Sequence, residues 1–126
     1  MSDKQVTIHE LKERMATFVR ERDWQQFHSP KNLSMSIAIE AAELMEHFQW
    51  LTAEQSQQLK REALQEIGEE LADIVLYSLS MANFLQIDLA ETIDAKMAKN
   101  ERKYPIDKVR GKAHKYTYYL QQEEDA

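Results

Sequence analysis

The sequence predicts an all-α protein built as a four-helix bundle. Apolar residues recur at three- and four-residue spacing through most of the chain, glycine and proline number only two each, and a capping residue stands where each helix should begin. So little glycine argues against a β-sandwich, a Rossmann unit or a phosphate-binding loop, all of which need turn glycines. The 126 residues suffice for one domain with one modest core. We expect a single domain over 1–126, with a helical core at about 7–103 and a basic, tyrosine-rich segment at 104–126.

Thr7 with Glu10 reads as a capping box that opens a helix running to about Arg22. Ile8, Leu11, Met15, Phe18 and Val19 form its apolar face. The stretch "RDWQQFHSPKN" reads as a connection, with Ser29 as cap and Pro30 in the first position of a second helix that reaches about Leu51. Thr52 with Gln55 is a second capping box, opening a long helical stretch to about Gln86 with a bend or break near Gly68. Asp88 with Glu91 opens a fourth helix, which ends near Arg102 and is closed by Pro105. The tail, "DKVRGKAHKYTYYLQQEEDA", has no clear period and reads as irregular.

Apolar residues at 43% and charged residues at 30% place the chain among soluble globular proteins. Cysteine is absent, which excludes disulfides, thiolate zinc sites and cysteine nucleophiles. The polar N-terminal residues carry no signal-peptide run and no segment is long and apolar enough to span a bilayer, so we expect a cytoplasmic protein without a membrane partner. The net charge of −6 is uneven: residues 1–95 carry −9, residues 96–118 carry +6 and the last eight carry −3. No continuous basic face is evident, so a long nucleic acid is not an expected partner. An acidic body with a basic segment suits a small polyanion held between bound metal and Lys or Arg.

The acids lie in phase with the apolar stripes. With Ile37 at zero and about 100° per residue, Ala41, Leu44, Phe48 and Leu51 fall within about 40°, Glu40 about 60° to one side and Glu43 about 120° to that same side. With Ile67 at zero, Leu71, Ile74 and Leu85 fall within about 40°, and Glu70 and Asp73 stand about 60° and 120° off, again on one side. Packed together, two such helices would bring four carboxylates to one flank of their interface. Four clustered carboxylates repel and raise each other's pKa unless a cation compensates them. All-oxygen ligands suit Mg²⁺, with Mn²⁺ as a substitute, and not zinc. The pattern alone equally allows each glutamate to be a solvated flank residue with an i,i+4 partner. A di-iron carboxylate bundle is disfavoured, because it needs Glu-x-x-His on two helices and His47 stands four residues after Glu43. A non-catalytic helical module that binds a nucleotide or a protein is the alternative.

The ordered motifs go further. "EAAE" (40–43) followed by "ELAD" (70–73) resembles the E-x-x-E…E-x-x-D signature of MazG-type all-α nucleoside triphosphate pyrophosphohydrolases. The stretches "RDWQQFHSPKNLSMSIAIEAAELMEHFQW", "EELADIVLYSL" and "KNERKYPIDKVRGKAHKYT" resemble the dCTP pyrophosphatase branch of that superfamily, over about Arg22 to Thr117. The resemblance implies hydrolysis between the α and β phosphates of a nucleoside triphosphate, releasing a monophosphate and pyrophosphate. It implies that Glu40, Glu43, Glu70 and Asp73 are the catalytic Mg²⁺ ligands, with one of them, or Glu66 or Glu69, as general base. It places Trp24, Gln25, Gln26, Phe27, His28, Trp50 and Tyr77 at the nucleotide; Lys96, Lys99, Asn100, Arg102, Lys103 and Arg110 are candidates for the triphosphate tail, with Tyr104 orienting the turn. Met15 stands where eukaryotic members carry a histidine, which leaves the base preference open. Relatives are dimers or tetramers, and Ile39, Leu76 and Phe84, which lie off the stripes, could serve a subunit interface.

Overall fold

Every regular element is helical in the structure, a computed structural model that describes residues 1–125. Six helices follow in order: α1 (Ile8–Glu21), α2 (Pro30–Glu46), α3 (Arg61–Leu85), α4 (Leu89–Lys103), α5 (Ile106–Val109) and α6 (Tyr116–Asp125). Two short 3₁₀ turns, Gln25–Phe27 and Gln55–Gln57, interrupt the loops. The all-α class and the four long helices expected from the sequence are both present. The chain packs as two compact units, Met1–Ile87 and the residues from Asp88 onward.

In the first unit the capping chemistry read from the sequence is made. Thr7 Oγ1 accepts from the Glu10 N–H and the Glu10 carboxylate accepts from the Thr7 N–H, at 3.1 and 2.8 Å. Helix α1 ends in a Schellman turn. The Trp24 N–H bonds the Val19 carbonyl and the Asp23 N–H bonds the Arg20 carbonyl, with Asp23 at φ +52°. That left-handed residue reverses the chain and brings Trp24 back against Phe18, ring centroids 5.7 Å apart and edge to face. Ser29 caps α2 through the Asn32 N–H, with Pro30 in the first helical position as expected.

Three boundaries differ from the expectation. Helix α2 stops at Glu46 and continues as turns through Trp50. The Thr52–Gln55 capping box is made, with both bonds near 3 Å, but it caps only the Gln55–Gln57 turn, and α3 begins at Arg61. A cap satisfies end groups; a helix continues only where it buries a face, and residues 53–60 offer only Ala53 and Leu59 for that purpose. Helix α3 runs unbroken through Gly68, so the expected bend is absent.

Helix α3 is the spine of this unit and packs against both α1 and α2. Leu33, 1% exposed, is the most enclosed side chain, and Met15, Val19, Ile67, Leu79 and Ala82 complete the buried apolar set of this unit. Lys12 Nζ donates to the Ile87 carbonyl and Asn83 Nδ2 to the Lys12 carbonyl, which ties α1 to the C-terminal end of α3.

The second unit holds α4, α5 and α6. Asp88 caps α4 through the Glu91 N–H. The segment expected to be irregular forms α5 and α6. Tyr119 is buried there and meets Tyr104 edge to face at 6.1 Å, while its hydroxyl accepts from the His114 N–H. The period is hidden in the sequence because one tyrosine, not an apolar stripe, anchors α6.

Candidate active site

The two acid-bearing helices are partners. Packing of α2 on α3 brings a carboxylate oxygen from each of Glu40, Glu43 and Glu70 within 4.8 Å of one another. Glu40 Oε2 and Glu70 Oε2 are buried without a hydrogen-bond partner from the protein. Burial, above all, pushes the Glu40 carboxyl up to about 7, helped by the neighbouring carboxyl groups of Glu43 and Glu70 and by the charge of Asp73. Asp73 stands close enough to raise both Glu40 and Tyr77, though it lies outside the three-oxygen cluster. Clustered carboxylates with unpartnered buried oxygens could hold a hard divalent cation, which would satisfy them and lift the repulsion.

His47 joins this cluster, a residue the sequence argument weighed only to set aside a di-iron site. Its Nε2 lies 3.8 Å from Glu70 and its Nδ1 3.9 Å from Glu66. The signal was present: His47 falls about 80° from Ile37 on the same side as Glu40 and Glu43.

A pocket of about 460 Å³ opens beside the acids. Asp73, Leu76 and Tyr77 of α3 form one wall, Leu11, Arg14, Met15 and Phe18 of α1 another, and Trp24 and His28 close it. The rings run in sequence, Trp24 to His28 at 6.2 Å and His28 to Tyr77 at 6.3 Å. The pocket is mostly apolar, with flat ring faces on one side and a carboxylate at its edge. That combination suits a planar heterocycle whose polar substituent extends toward the acids. Burial raises the Tyr77 hydroxyl pKa, reinforced by Glu40, Asp73 and Glu43.

The other site candidates divide. Gln25 lines a second, smaller cavity with His28. Gln26 is exposed and donates to the Asp23 carbonyl. Phe27 is 60% exposed and Trp50, beyond the end of α2, is 87% exposed, and neither lines the pocket. Lys96, Asn100, Lys103 and Tyr104 belong to the second unit. There Lys103 lies over the Tyr116 ring, 4.9 Å from its centroid, and lines a cavity of about 310 Å³ with Lys99, Arg102 and Lys108.

Comparison with known proteins shows the family of the chain. Residues 35–118, two thirds of the chain and inclusive of both acidic pairs, match the MazG-like family. The chain belongs to the MazG-like family. It is 40% identical over 116 residues to a bovine (Bos taurus) protein named dCTP pyrophosphatase 1, a match that covers 88% of this chain and 67% of the relative. The human (Homo sapiens) protein of that name is 39% identical over 116 residues, covering 88% of this chain and 66% of the relative. The chain thus spans about two thirds of the length of these relatives. Among solved structures, a pyrophosphatase from Archaeoglobus fulgidus superposes with a TM-score of 0.74 at 37% identity, over 83% of this chain and 98% of that one. Among the described residues, no helix of this MazG-like chain is long and apolar enough to cross a membrane.

Proposed function

We propose that the chain is a Mg²⁺-dependent nucleoside triphosphate pyrophosphohydrolase of the cytoplasm, acting on dCTP or a related pyrimidine deoxynucleotide. The observation that carries the proposal is the pairing of two features in one helical unit: the Glu40–Glu43–Glu70 cluster with its unpartnered oxygens, and the aromatic pocket lined by Asp73, the acid whose charge acts on Glu40. The names of the similar proteins support the same reading.

Glu40, Glu43, Glu70 and Asp73 would hold the cation. Mg²⁺, or Mn²⁺ in its place, supplies charge to screen the phosphates and to acidify a water. Trp24, His28 and Tyr77 offer ring faces to the base, and Arg14 and His28 offer hydrogen bonds to its edge. A carboxylate of the cluster, or Glu66 or Glu69, accepts the proton of the attacking water. Its oxygen bonds the α-phosphorus, the bond from that phosphorus to the bridging oxygen breaks, and pyrophosphate leaves with the electron pair. Lys96, Asn100, Lys103 and Tyr104 are candidates for holding the phosphate tail. Glu43→Gln should abolish Mg²⁺-dependent turnover of dCTP while leaving the helical circular dichroism spectrum intact; a fully active variant contradicts the assignment.

The same reading makes the protein a homo-oligomer, a dimer or tetramer. Ile39, Leu76 and Phe84 are 57%, 37% and 55% exposed on α2 and α3, apolar surface that a second copy would cover. Gel filtration with light scattering should give a multiple of the 14.9 kDa chain mass, and a monomer at micromolar concentration contradicts this.

A further inference from the structure

Phe18 lines two spaces. One is the aromatic pocket beside the acids, where Trp24 is its neighbour; the other is an open cleft on the surface of α1, where it is joined by Thr17, Glu21 and Arg22. Arg22 lines the cleft and not the pocket. It stands four residues after Phe18, the spacing that brings two side chains together on one helix face. Its guanidinium carbon lies 3.7 Å from the centroid of the Phe18 ring, and one of its nitrogens donates to the Phe18 carbonyl at 3.1 Å. A cation is attracted to the negative face of an aromatic ring, and a planar guanidinium also stacks on it. Two attachments to one residue hold that stack in place. Glu21, the acid paired with Arg22, lies 3.9 Å away on the exposed surface and competes only weakly for it. The Phe18 ring also meets the Trp24 ring, at 5.7 Å and 76°. Phe18 and Trp24 are 39% and 42% exposed, so burial alone does not fix them, and exposed side chains change rotamer within nanoseconds. The contacts each ring makes with its neighbours decide its orientation.

We infer that Arg22 is a positioning residue for the nucleotide pocket: it clamps the Phe18 ring, and Phe18 in turn holds the Trp24 indole at the angle at which it offers its face to a base. Trp24 is the first ring of the series that continues through His28 to Tyr77, so its plane sets the surface a heterocycle meets. Arg22 acts through two rings, from outside the pocket. The inference rests on the reading of Trp24, His28 and Tyr77 as nucleotide-binding residues.

The test is a double-mutant cycle on Arg22→Met, which keeps an apolar stem without the cation, and Phe18→Leu. The indole N–H resonance of Trp24, assigned with Trp24→Phe, reports the ring's surroundings and needs no turnover. Arg22→Met should move that resonance and raise KM for dCTP roughly twofold to fivefold, the loss of one exposed cation–ring contact, with kcat little changed. Arg22→Lys, which keeps a cation without the planar stack, should fall between wild type and Arg22→Met. In the Phe18→Leu background Arg22→Met should change neither readout further, because its route to Trp24 is gone. An unmoved Trp24 resonance in Arg22→Met overturns the inference, and so does a resonance that moves while KM stays fixed. Effects of equal size in both backgrounds also overturn it, since Arg22 would then act through the Phe18 carbonyl or through its charge and not through the ring. A wild-type protein inert toward every nucleotide contradicts the functional reading instead, and the indole spectra of the cycle then still decide the Arg22–Phe18–Trp24 link.

Discussion

His47 Nε2 lies 3.8 Å from a carboxylate oxygen of Glu70, the glutamate whose Oε2 is buried without a protein partner. The ring comes from the C-terminal cap of α2 and the carboxylate from the middle of α3, so their approach is a product of helix packing. Groups that orient a metal-binding side chain typically change metal affinity about 10-fold to 100-fold when removed. His47→Leu should therefore raise the Mg²⁺ concentration for half-maximal activity by about 10-fold, with activity recovered at saturating Mg²⁺. A titration that superposes on the wild-type curve assigns His47 no part in holding Glu70.

Glu40 makes the metal-free protein sensitive to pH. Its carboxyl is pushed up to about 7 from an ordinary 4.5, chiefly by burial. A raised carboxyl favours the native state fully below the unfolded value, and that contribution is lost as pH climbs through the folded value. Without metal, the Tm of the wild type should therefore fall relative to that of Glu40→Gln between about pH 5 and about pH 8. Added Mg²⁺, which binds the ionised cluster, should raise the wild-type Tm most at the upper end of that range. Parallel Tm curves for the two proteins in chelator would show that Glu40 titrates normally.

Gly68 offers a stabilising change. It sits inside α3, and a Cβ built there meets nothing within 4 Å. Gly68→Ala should stabilise the protein by about 0.5–1 kcal/mol through helix propensity, read as a higher Tm or urea midpoint, with activity retained. A drop in Tm would mean that the residue has a role in assembly that its open surroundings do not reveal.

The legible features were local ones. The Thr7–Glu10 box, the Ser29 cap with Pro30, and the Asp88 cap all depend on residues three apart and are made as the sequence predicts. The Thr52–Gln55 box is equally well formed, yet it starts only one short turn, because extension depends on tertiary burial that the next residues cannot supply. Gly68 misleads for the opposite reason: its propensity cost is about 1 kcal/mol, and burial of Ile67 and packing of α3 on α2 outweigh it. Helix α6 was hidden because Tyr119 finds its neighbours, Tyr104 and His114, through chain folding and not through a periodic stripe.

For the site, helical phase was readable and distance was not. Glu40, Glu43, Glu70 and Asp73 lie on matching flanks of their helices in any straight α-helical reading. That three of them converge within 4.8 Å depends on how α2 crosses α3. The aromatics divide on the same ground. Trp24 reaches the pocket because a left-handed Asp23 turns the chain back on itself, whereas Trp50 follows a helix that ends earlier than its period implied.

The most direct measurement is the identity of the products. The protein would be incubated with dCTP and a panel of other canonical and modified nucleoside triphosphates, with Mg²⁺ or with chelator, and the products separated by chromatography. The predicted result is dCMP and pyrophosphate in equal amounts, only with Mg²⁺ and not from Glu43→Gln. Formation of dCDP and free phosphate, or no turnover of any nucleotide, would contradict the assignment of the Glu40–Glu43–Glu70 cluster to cleavage at an α-phosphate.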